Sequence, residues 1–365
     1  AYRDGDSPGF TGQYEFDLQA VTGDTDWRYA PRGLPVDHTE GEPVRIAPEA
    51  TLSDADLDAL NDGAGDWSGA SIRISRQVDG EDASNPEDAF GFVDENGLRF
   101  DYDNESGSGR IYKTVGEVES VIGTYTIEDG VLTITFSTAE AEGSAVPTNA
   151  DVNNVLRQIT YINTSDTPPA EVELRVSVSD GNAEVDGAQG SGGEGTAAIT
   201  IAVNITPVND APDVTDKTVW IKEDRTYTFR DIAFTDVEGH DLAALVIRSL
   251  PGNGKLLYCG VEVTAEQVAT GFEVTAEDLT AGKLVFQPNE DFNGTVTFQY
   301  AVRDTGGTAN GGIDLSEDAT FTIKVKAVND RPELTMSSDD GIGTLDLQGV
   351  QRDGVDEVDG LDRAR

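Results

Sequence analysis

Carboxylates dominate the chemistry this sequence could perform. They gather at what read as strand ends and turns: "TEGEPV" (Glu40, Glu42), "LSDADLDALND" (Asp54, Asp56, Asp58, Asp62), "FDYDNESGSG" (Asp101, Asp103, Glu105), "IKEDRTY" (Glu223, Asp224) and "FTDVEGHD" (Asp236, Glu238, Asp241). In an extended Asp-x-Asp segment both side chains project to one side. Two unit charges 4 Å apart repel by about 4 kcal/mol at an effective dielectric of 20, so three or four converging carboxylates call for a cation. Calcium suits them, because it takes about six to eight oxygen ligands from carboxylates, amides and backbone carbonyls. An Asn-Asp dipeptide offers amide and carboxylate oxygens side by side, and it recurs. "ITPVNDAPDV" and "KAVNDRPEL" share Val-Asn-Asp-x-Pro, with Val208 and Val328 lying 120 residues apart. A single turn Asp is most often a solvated turn former bonding its own backbone. The repeated set of turn Asp, linker Asn-Asp and following acidic pair is what points to a metal.

Other chemistry is poorly represented. The two histidines, His38 and His240, sit beside acidic residues in turn-like contexts, and His240 in "EGHD" reads as a surface residue. There is no nucleophile motif, phosphate loop or His-rich zinc pattern. A carboxylate pair could cleave glycosides, but among 69 acidic residues any pair can be found. The chain does not read as an enzyme. "DYDNESGSG" begins like an EF-hand loop but places Gly107 at the seventh position, where the sixth needs glycine. Asp101 and Asp103 are therefore candidates only for a calcium loop of another type.

The 69 acidic residues against 25 basic ones give a formal charge of −44 over 365 residues. Such a surface repels nucleic acid and anionic lipid, which are bound through Lys and Arg; its natural partners are cations. With 37% hydrophobic residues, many of them β-branched or aromatic, packed cores are expected rather than disorder. Cys259 is the only cysteine, so neither an intrachain disulfide nor a thiolate metal site can form. The apolar runs are far below the roughly 18 residues that span a membrane. No signal peptide is visible at Ala1, and the chain begins mid-pattern, as an excised piece of a longer protein would.

The elements that must position these acids are mostly strands. Period-2 alternation marks "VLTITFS" (Val131–Ser137), "VELRVSVSDGN" (Val172–Asn182) and "AAITIAVNI" (Ala197–Ile205). It returns in "RTYTFRDIAF" (Arg225–Phe234), "KLVFQP" (Lys283–Pro288), "TVTFQYAVRD" (Thr295–Asp304) and "ATFTIKVKAV" (Ala319–Val328). Short helices are expected at Thr148–Ile159, with Val152, Val155, Leu156 and Ile159 on one face, and after the capping threonines Thr264 and Thr275. Trp220, in the first strand of the second unit, is expected in the core. Trp67 and Trp27 are expected either to plug a sandwich end or to present a stacking surface.

Many short strands between turn signals imply an all-β protein of two tandem antiparallel β-sandwiches. The expected domains are residues 1–208, a long module; 209–328, a second module; and 329–365, a linker with the start of a truncated module or a tail.

An Asn-Asp linker between such units resembles the cadherin-like repeats of giant bacterial adhesins, the RTX family exported by type I secretion. The second unit carries the resemblance in "EDRTYTF", "FTDVEGHDL", "LPGNGKL" and "VTAEDLTAGKLVFQPNEDFNGTVTFQYAVRDTGG". The first is similar to a longer variant through "LNDGAGDWSGASIRISRQ", "EDAFGF", "IGTYTIEDGVLTITF", "VNNVLRQITYINTSDTPP" and "VSVSDGN". Together these cover Thr39–Pro332. The RTX nonapeptide itself is absent, since "GAQGSGGEG" (Gly187–Gly195) lacks the Asp that a β-roll needs.

The resemblance implies calcium-rigidified, monomeric modules within a longer chain on a bacterial surface, serving adhesion and biofilm formation. By the family's pattern Asn209 and Asp210 would bridge the modules, with Glu40, Asp54 and Asp180 contributing from the first. Glu223, Asp224, Asp236 and Glu238 would contribute from the second, while Asp304, Asn329 and Asp330 would form the equivalent half-site at its far end. Asp56, Asp101 and Asp103 complete the candidate ligands. The alternative is that the first module itself binds a host-cell or biofilm peptide or glycan through calcium. No nucleic acid and no inserted membrane are expected as partners.

Overall fold

The structure is a computed structural model, and it describes residues 14–17, 33–103, 107–138, 143–182 and 194–331, with backbone alone at 14–17, 102 and 103. Trp27, Glu105, most of Gly187–Gly195 and the segment beyond Arg331 lie outside the described residues. The chain divides into two compact units. Unit 1 comprises Ala1–Ala211, Asp236–His240 and Gly306–Asp314; unit 2 comprises Pro212–Thr235, Asp241–Thr305 and Leu315–Arg365.

The described residues of unit 1 hold fourteen strands: β1 (Tyr14–Asp17), β2 (Val36–Thr39), β3 (Val44–Arg45), β4 (Ala50–Ser53), β5 (Ser71–Val78), β6 (Glu81–Ala83), β7 (Asp88–Phe92), β8 (Leu98–Asp103), β9 (Ser108–Val115), β10 (Val118–Glu128), β11 (Val131–Phe136), β12 (Ile159–Asn163), β13 (Glu171–Ser179) and β14 (Thr196–Thr206). Its large sheet runs β2-β14-β13-β5-β11-β10-β9-β8, with β6 beside β5, and its small sheet runs β3-β12-β7. Between the sheets lie Ile72, Ile74, Leu132, Ile134, Val176 and Tyr161. The alternation that makes β13 read as a strand is the alternation that buries Val172, Leu174, Val176 and Val178 on one face.

Helix α1 (Ala55–Ala59) follows Asp54, whose carboxylate accepts from the N–H groups of Asp56 and Leu57. Helix α2 (Asn149–Gln158) starts at a reciprocal Thr148–Asp151 capping box and buries Val152, Val155 and Leu156, as the sequence pattern requires. Trp67 is fully buried, with Nε1 donating to Asn149 Oδ1 at 2.7 Å, so it plugs the sandwich rather than presenting a stacking surface. His38 is not in a turn. It lies in β2 and is buried.

A buried polar network ties the two sheets. Arg76 on β5 donates to both oxygens of Asp88 at 2.7 and 2.6 Å, and Tyr161 Oη donates to Asp88 Oδ1 at 2.6 Å. Burial and the neighbouring carboxylate push the Tyr161 hydroxyl well above its ordinary range.

Unit 2 holds β15 (Asp213–Val214), β16 (Lys217–Lys222), β17 (Tyr227–Thr228), β18 (Phe234–Thr235), β19 (Leu242–Ile247), β20 (Gly254–Tyr258), β21 (Val261–Glu262), β22 (Phe272–Thr275), β23 (Leu284–Pro288), β24 (Gly294–Asp304) and β25 (Ala319–Lys326). One sheet runs β16-β25-β24-β19-β22, another β17-β23-β20-β21. Phe229, Phe298, Tyr300 and Phe321 pack between them. Helices α3 (Ala265–Ala269) and α4 (Ala276–Thr280) begin at Thr264 and Thr275 as expected.

Trp220 corrects its expectation: it is 58% exposed. The phase of β16 turns Val219 and Ile221 toward the core, so Trp220 faces out, where the Lys324 and Lys326 ammoniums lie 4.8 and 4.6 Å from its ring centre. In both units the first strand of the sandwich pairs in parallel with the last, β2 with β14 and β16 with β25.

Replacing Asp88 by Ala leaves the Arg76 guanidinium uncompensated, and should cost unit 1 about 3–5 kcal/mol; Tyr161→Phe, which removes one bond to a charge, should cost about 1.5–3. Urea unfolding followed by near-ultraviolet circular dichroism measures both. In unit 2 the Lys283 ammonium and the Tyr258 hydroxyl hold the Asp278 carboxyl below its ordinary range. A carboxyl depressed on folding stabilises above its unfolded pKa of roughly 4 and loses that contribution as pH falls further. Lys283→Gln should therefore raise the Asp278 pKa, read by carboxyl NMR titration.

Candidate metal centre

The parallel strand pairing places one acid of each unit. Thr39 is in register with Thr206 and Lys222 with Lys326, so the residues that follow, Glu40 and Glu223, reach the end of the last strand. There the Glu40 N–H donates to Thr206 O and the Glu223 N–H to Lys326 O, at 3.1 and 2.9 Å. The side chains repeat the match. Val208 N donates to Glu40 Oε2 at 2.8 Å, and Val328 N donates to Glu223 Oε1. Each Val-Asn-Asp segment is thus held by the acid that ends its own unit's first strand.

Around Asn209-Asp210, unit 1 assembles a cluster from four chain segments. Asp210 N donates to Glu238 Oε1 at 2.9 Å, and His240 N donates to Asp236 Oδ1 at 2.7 Å. Asn209 Nδ2 donates to Ile313 O at 2.7 Å, and Ile313 N returns a bond to Asn209 O at 2.8 Å. Gly306 allows this approach: a Cβ there would lie 1.7 Å from Asn209 Oδ1. The Asp236 side chain is only 2% exposed, and its Oδ2 has no hydrogen-bond partner; Glu238 Oε2 is also buried without one. Asp236, Glu238 and His240 each offer a ligand atom, all within 4.8 Å of one another. A cavity of about 400 Å³ opens beside them, lined by Asp166, Pro168, Pro207, Asn209, Glu238 and His240 among others.

Charge accumulates here without compensation. Burial, then repulsion from Glu238, Asp166 and Asp236, raises the Asp210 carboxyl above its ordinary range. Glu40 is raised by burial first, and further by Asp210, Glu238 and Asp166, against the lowering effect of the Val208 N–H. Among the described residues none of these five carboxylates pairs with Lys or Arg. A hard divalent cation fits such a set: buried carboxylate oxygens without donors, surrounded by further carboxylates. Asp166 and His240 belong to the cluster although motif reading did not assign them. For Asp166 the available signal was its place in the turn-rich "SDTPP".

The remaining candidates lie elsewhere. Antiparallel pairing of β13 with β14 sets Ser179 opposite Thr196 and Glu171 opposite Asn204, so Asp180 stands about 30 Å of strand from the end of β13 that lies toward Val208. It faces Asp54 instead, and its oxygens accept from the N–H groups of Asn182 and Gly195. Asp56 is exposed on α1. Asp101 accepts from Arg110 N and Tyr112 Oη, and the Asp103 side chain is outside the described residues.

In unit 2 the same logic separates Asp304 from Asp330. Gly294 pairs with Val325 and Asp304 ends β24, so about 30 Å of strand lies between Asp304 and the Val328 end. Glu223 and Asp224 occupy the Val328 end. There Asp224, Asp291 and Asp330 gather as an exposed trio, close to Glu223, with Asn329 alongside in sequence.

Residues 209–316 match the family model of the bacterial Ig domain. No curated protein matches the chain. Among solved structures it is similar to an endo-fucoidan hydrolase from glycoside hydrolase family 107, with 11% identity over 83% of this chain and TM-score 0.19. This chain spans only 29% of that protein's length. Mouse protocadherin-24 EC1-3 overlaps at 11% identity over 65% of this chain and 90% of that one, TM-score 0.28. Drosophila N-cadherin EC1-3 overlaps at 8% identity over 69% and 58%, TM-score 0.22. The fold is all-β, and within it residues 209–316 match the bacterial Ig domain.

Glu40→Ala and Glu223→Ala each remove a charged acceptor from a Val N–H. Each should destabilise its own unit by about 1–2 kcal/mol in the absence of divalent cation, as measured by urea denaturation. A loss in one variant without the other would break the equivalence of the two ends.

Proposed function

We propose that this chain is a non-catalytic, calcium-stiffened segment of a bacterial surface adhesin, exported by a type I route, that extends and presents binding domains for adhesion and biofilm formation. The observation that carries the reading is the buried, donor-free Asp236 Oδ2, with Glu238 Oε2 beside it, amid Asp210, Glu40 and Asp166 at the Val208–Asp210 linker. Calcium bound there by Asp236, Glu238, Asp210 and Asn209 would neutralise the mutual repulsion and fix the linker. The Asp224, Asp291 and Asp330 trio would take the same role at the far end of unit 2. The chain's single cysteine makes such ionic bracing useful, because no disulfide can substitute for it.

Extracellular modules bind calcium with Kd values on the order of 10⁻⁴–10⁻³ M. At tenfold excess over Kd one site adds about 1.4 kcal/mol. Calcium should therefore raise the melting temperature by a few degrees over chelator-treated protein, and limited proteolysis at Val208–Pro212 should slow. Asp236→Asn should abolish most of the calcium-dependent shift at this site, while Asp56→Asn should leave it. Equal melting and equal cleavage with calcium and chelator, or a shift produced by zinc but not calcium, would defeat the proposal.

A further inference from the structure

Apart from the small β1-β4 pair, the two facing sheets of the unit 1 sandwich differ in width. The small sheet has three strands and ends at β7, while the sheet it faces runs through eight strands in one path. The register of β7 with β12 fixes where its backbone groups point. Val93 N donates to Gln158 O at 3.0 Å and Thr164 N to Glu87 O at 2.8 Å, both on the Phe92–Ile159 register. Residues Glu87, Ala89, Gly91 and Val93 therefore aim their N–H and C=O groups at β12. Asp88, Phe90 and Phe92 aim theirs away. Asp88 N is taken by Asn85 O, whereas among the described residues no backbone group pairs with Phe90 or Phe92 on that side.

The side chains of these residues turn inward. Phe92 stacks on Phe100 with ring centres 4.2 Å apart and meets Tyr125 at 4.6 Å. Beside them opens a cavity of about 560 Å³, lined by Phe90, Phe92, Phe100, Tyr125 and Ile127. Its size falls in the roughly 300–1,000 Å³ range of ligand clefts. Asp129 lines it, and Glu87, Asp94 and Glu128 are exposed carboxylates within two residues of its lining in sequence, while Arg76 is committed to Asp88. Edge strands are commonly blunted by Lys or Pro. The edge strand β16 of unit 2 carries Lys217 and Lys222, but β7, "DAFGF", carries neither residue type.

We propose that the free edge of β7 and the aromatic cleft beside it form a docking site for an extended, cationic peptide strand. The strand would pair with the N–H and C=O groups of Phe90 and Phe92 by sheet extension. It would place an aromatic or branched apolar side chain in the cleft at every second position, and hold Lys or Arg against the acidic rim. The site is separate from the carboxylate cluster: Glu40, Asp166, Asp210, Asp236 and Glu238 do not line it.

The probe is a labelled, end-capped heptapeptide, Lys-Phe-Lys-Val-Lys-Phe-Lys, titrated into the full chain by fluorescence anisotropy with calcium or with chelator. One control replaces every Lys by Glu, and a second replaces the central Val by Pro. The lysine peptide should bind with a Kd on the order of 10⁻⁶–10⁻⁵ M, with and without calcium, at least tenfold more tightly than either control. Asp129→Asn, which keeps a residue tolerant of the turn, should weaken binding about two- to threefold, and Ile127→Glu should remove it. Hydrogen exchange should slow at the Phe90 and Phe92 amides on binding. Equal affinity for the proline peptide, no slowing at those two amides, or displacement by a neutral oligosaccharide would overturn the proposal. Loss of binding in chelator would tie the peptide to the cation cluster instead, and would equally overturn it.

Discussion

Everything at the Asn-Asp end of each unit depends on one bond type: a carboxylate after the first strand accepting the N–H of the valine after the last. Glu40 holds Val208 and Glu223 holds Val328, each at the end of a parallel pair whose strands are far apart in sequence. Parallel pairing demands a long crossover, here most of a domain, so this contact forms only once the sandwich has closed. It then delivers a negative charge to the base of an Asn-Asp linker. The repeat in sequence is thus a repeat in geometry, and the pentapeptide cannot be understood without the glutamate more than a hundred residues before it.

That delivery creates an electrostatic debt that the fold does not settle with its own side chains. Asp210 and Glu40 are raised by burial and by each other's neighbours, and Asp236 keeps one oxygen buried without a donor. A buried polar oxygen without a donor costs about 1–3 kcal/mol, more when charged. Contrast Asp88, equally inaccessible, which is satisfied by Arg76, Tyr161 and Asn163. The same residue type is structural in one place and unfinished in the other. That difference separates a sheet-bracing carboxylate from one left without donors, and burial alone does not.

Strand periodicity made the sandwiches legible, because alternation in β13, β24 and β25 is enforced by a core on one face only. Caps at Thr148, Thr264 and Thr275 were legible for a local reason, since each side chain serves its own helix. The ligand partition was not. Asp180 and Asp304 precede the last strand in sequence, but a hairpin reverses direction, so they stand at the opposite end from the Asn-Asp that follows. The family's pattern puts Glu223 and Asp224 with Asn209, whereas the parallel β16–β25 pair carries them to Val328. Trp220 is expected in the core from its place in the first strand of unit 2, but strand phase, set by Val219 and Ile221, turns it outward. Nothing in the local sequence distinguishes those outcomes; they are consequences of strand order and register.

The units differ in how they treat their edges, although both place a glutamate after the first strand of the sandwich. Four of the chain's seven lysines lie on β16 and β25, where they border or cover an exposed tryptophan at a sheet edge. A chain with formal charge −44 has few cations to spare, and concentrating them on one edge opposes strand addition there. Unit 1 spends none on β7, whose outward backbone groups open onto Phe92, Phe100 and Tyr125. General negative charge deters self-association, since another copy presents the same sign. It does not deter a basic strand. An edge left open in an otherwise acidic surface is selective by charge before any side chain is read, and the aromatic cleft then selects by shape.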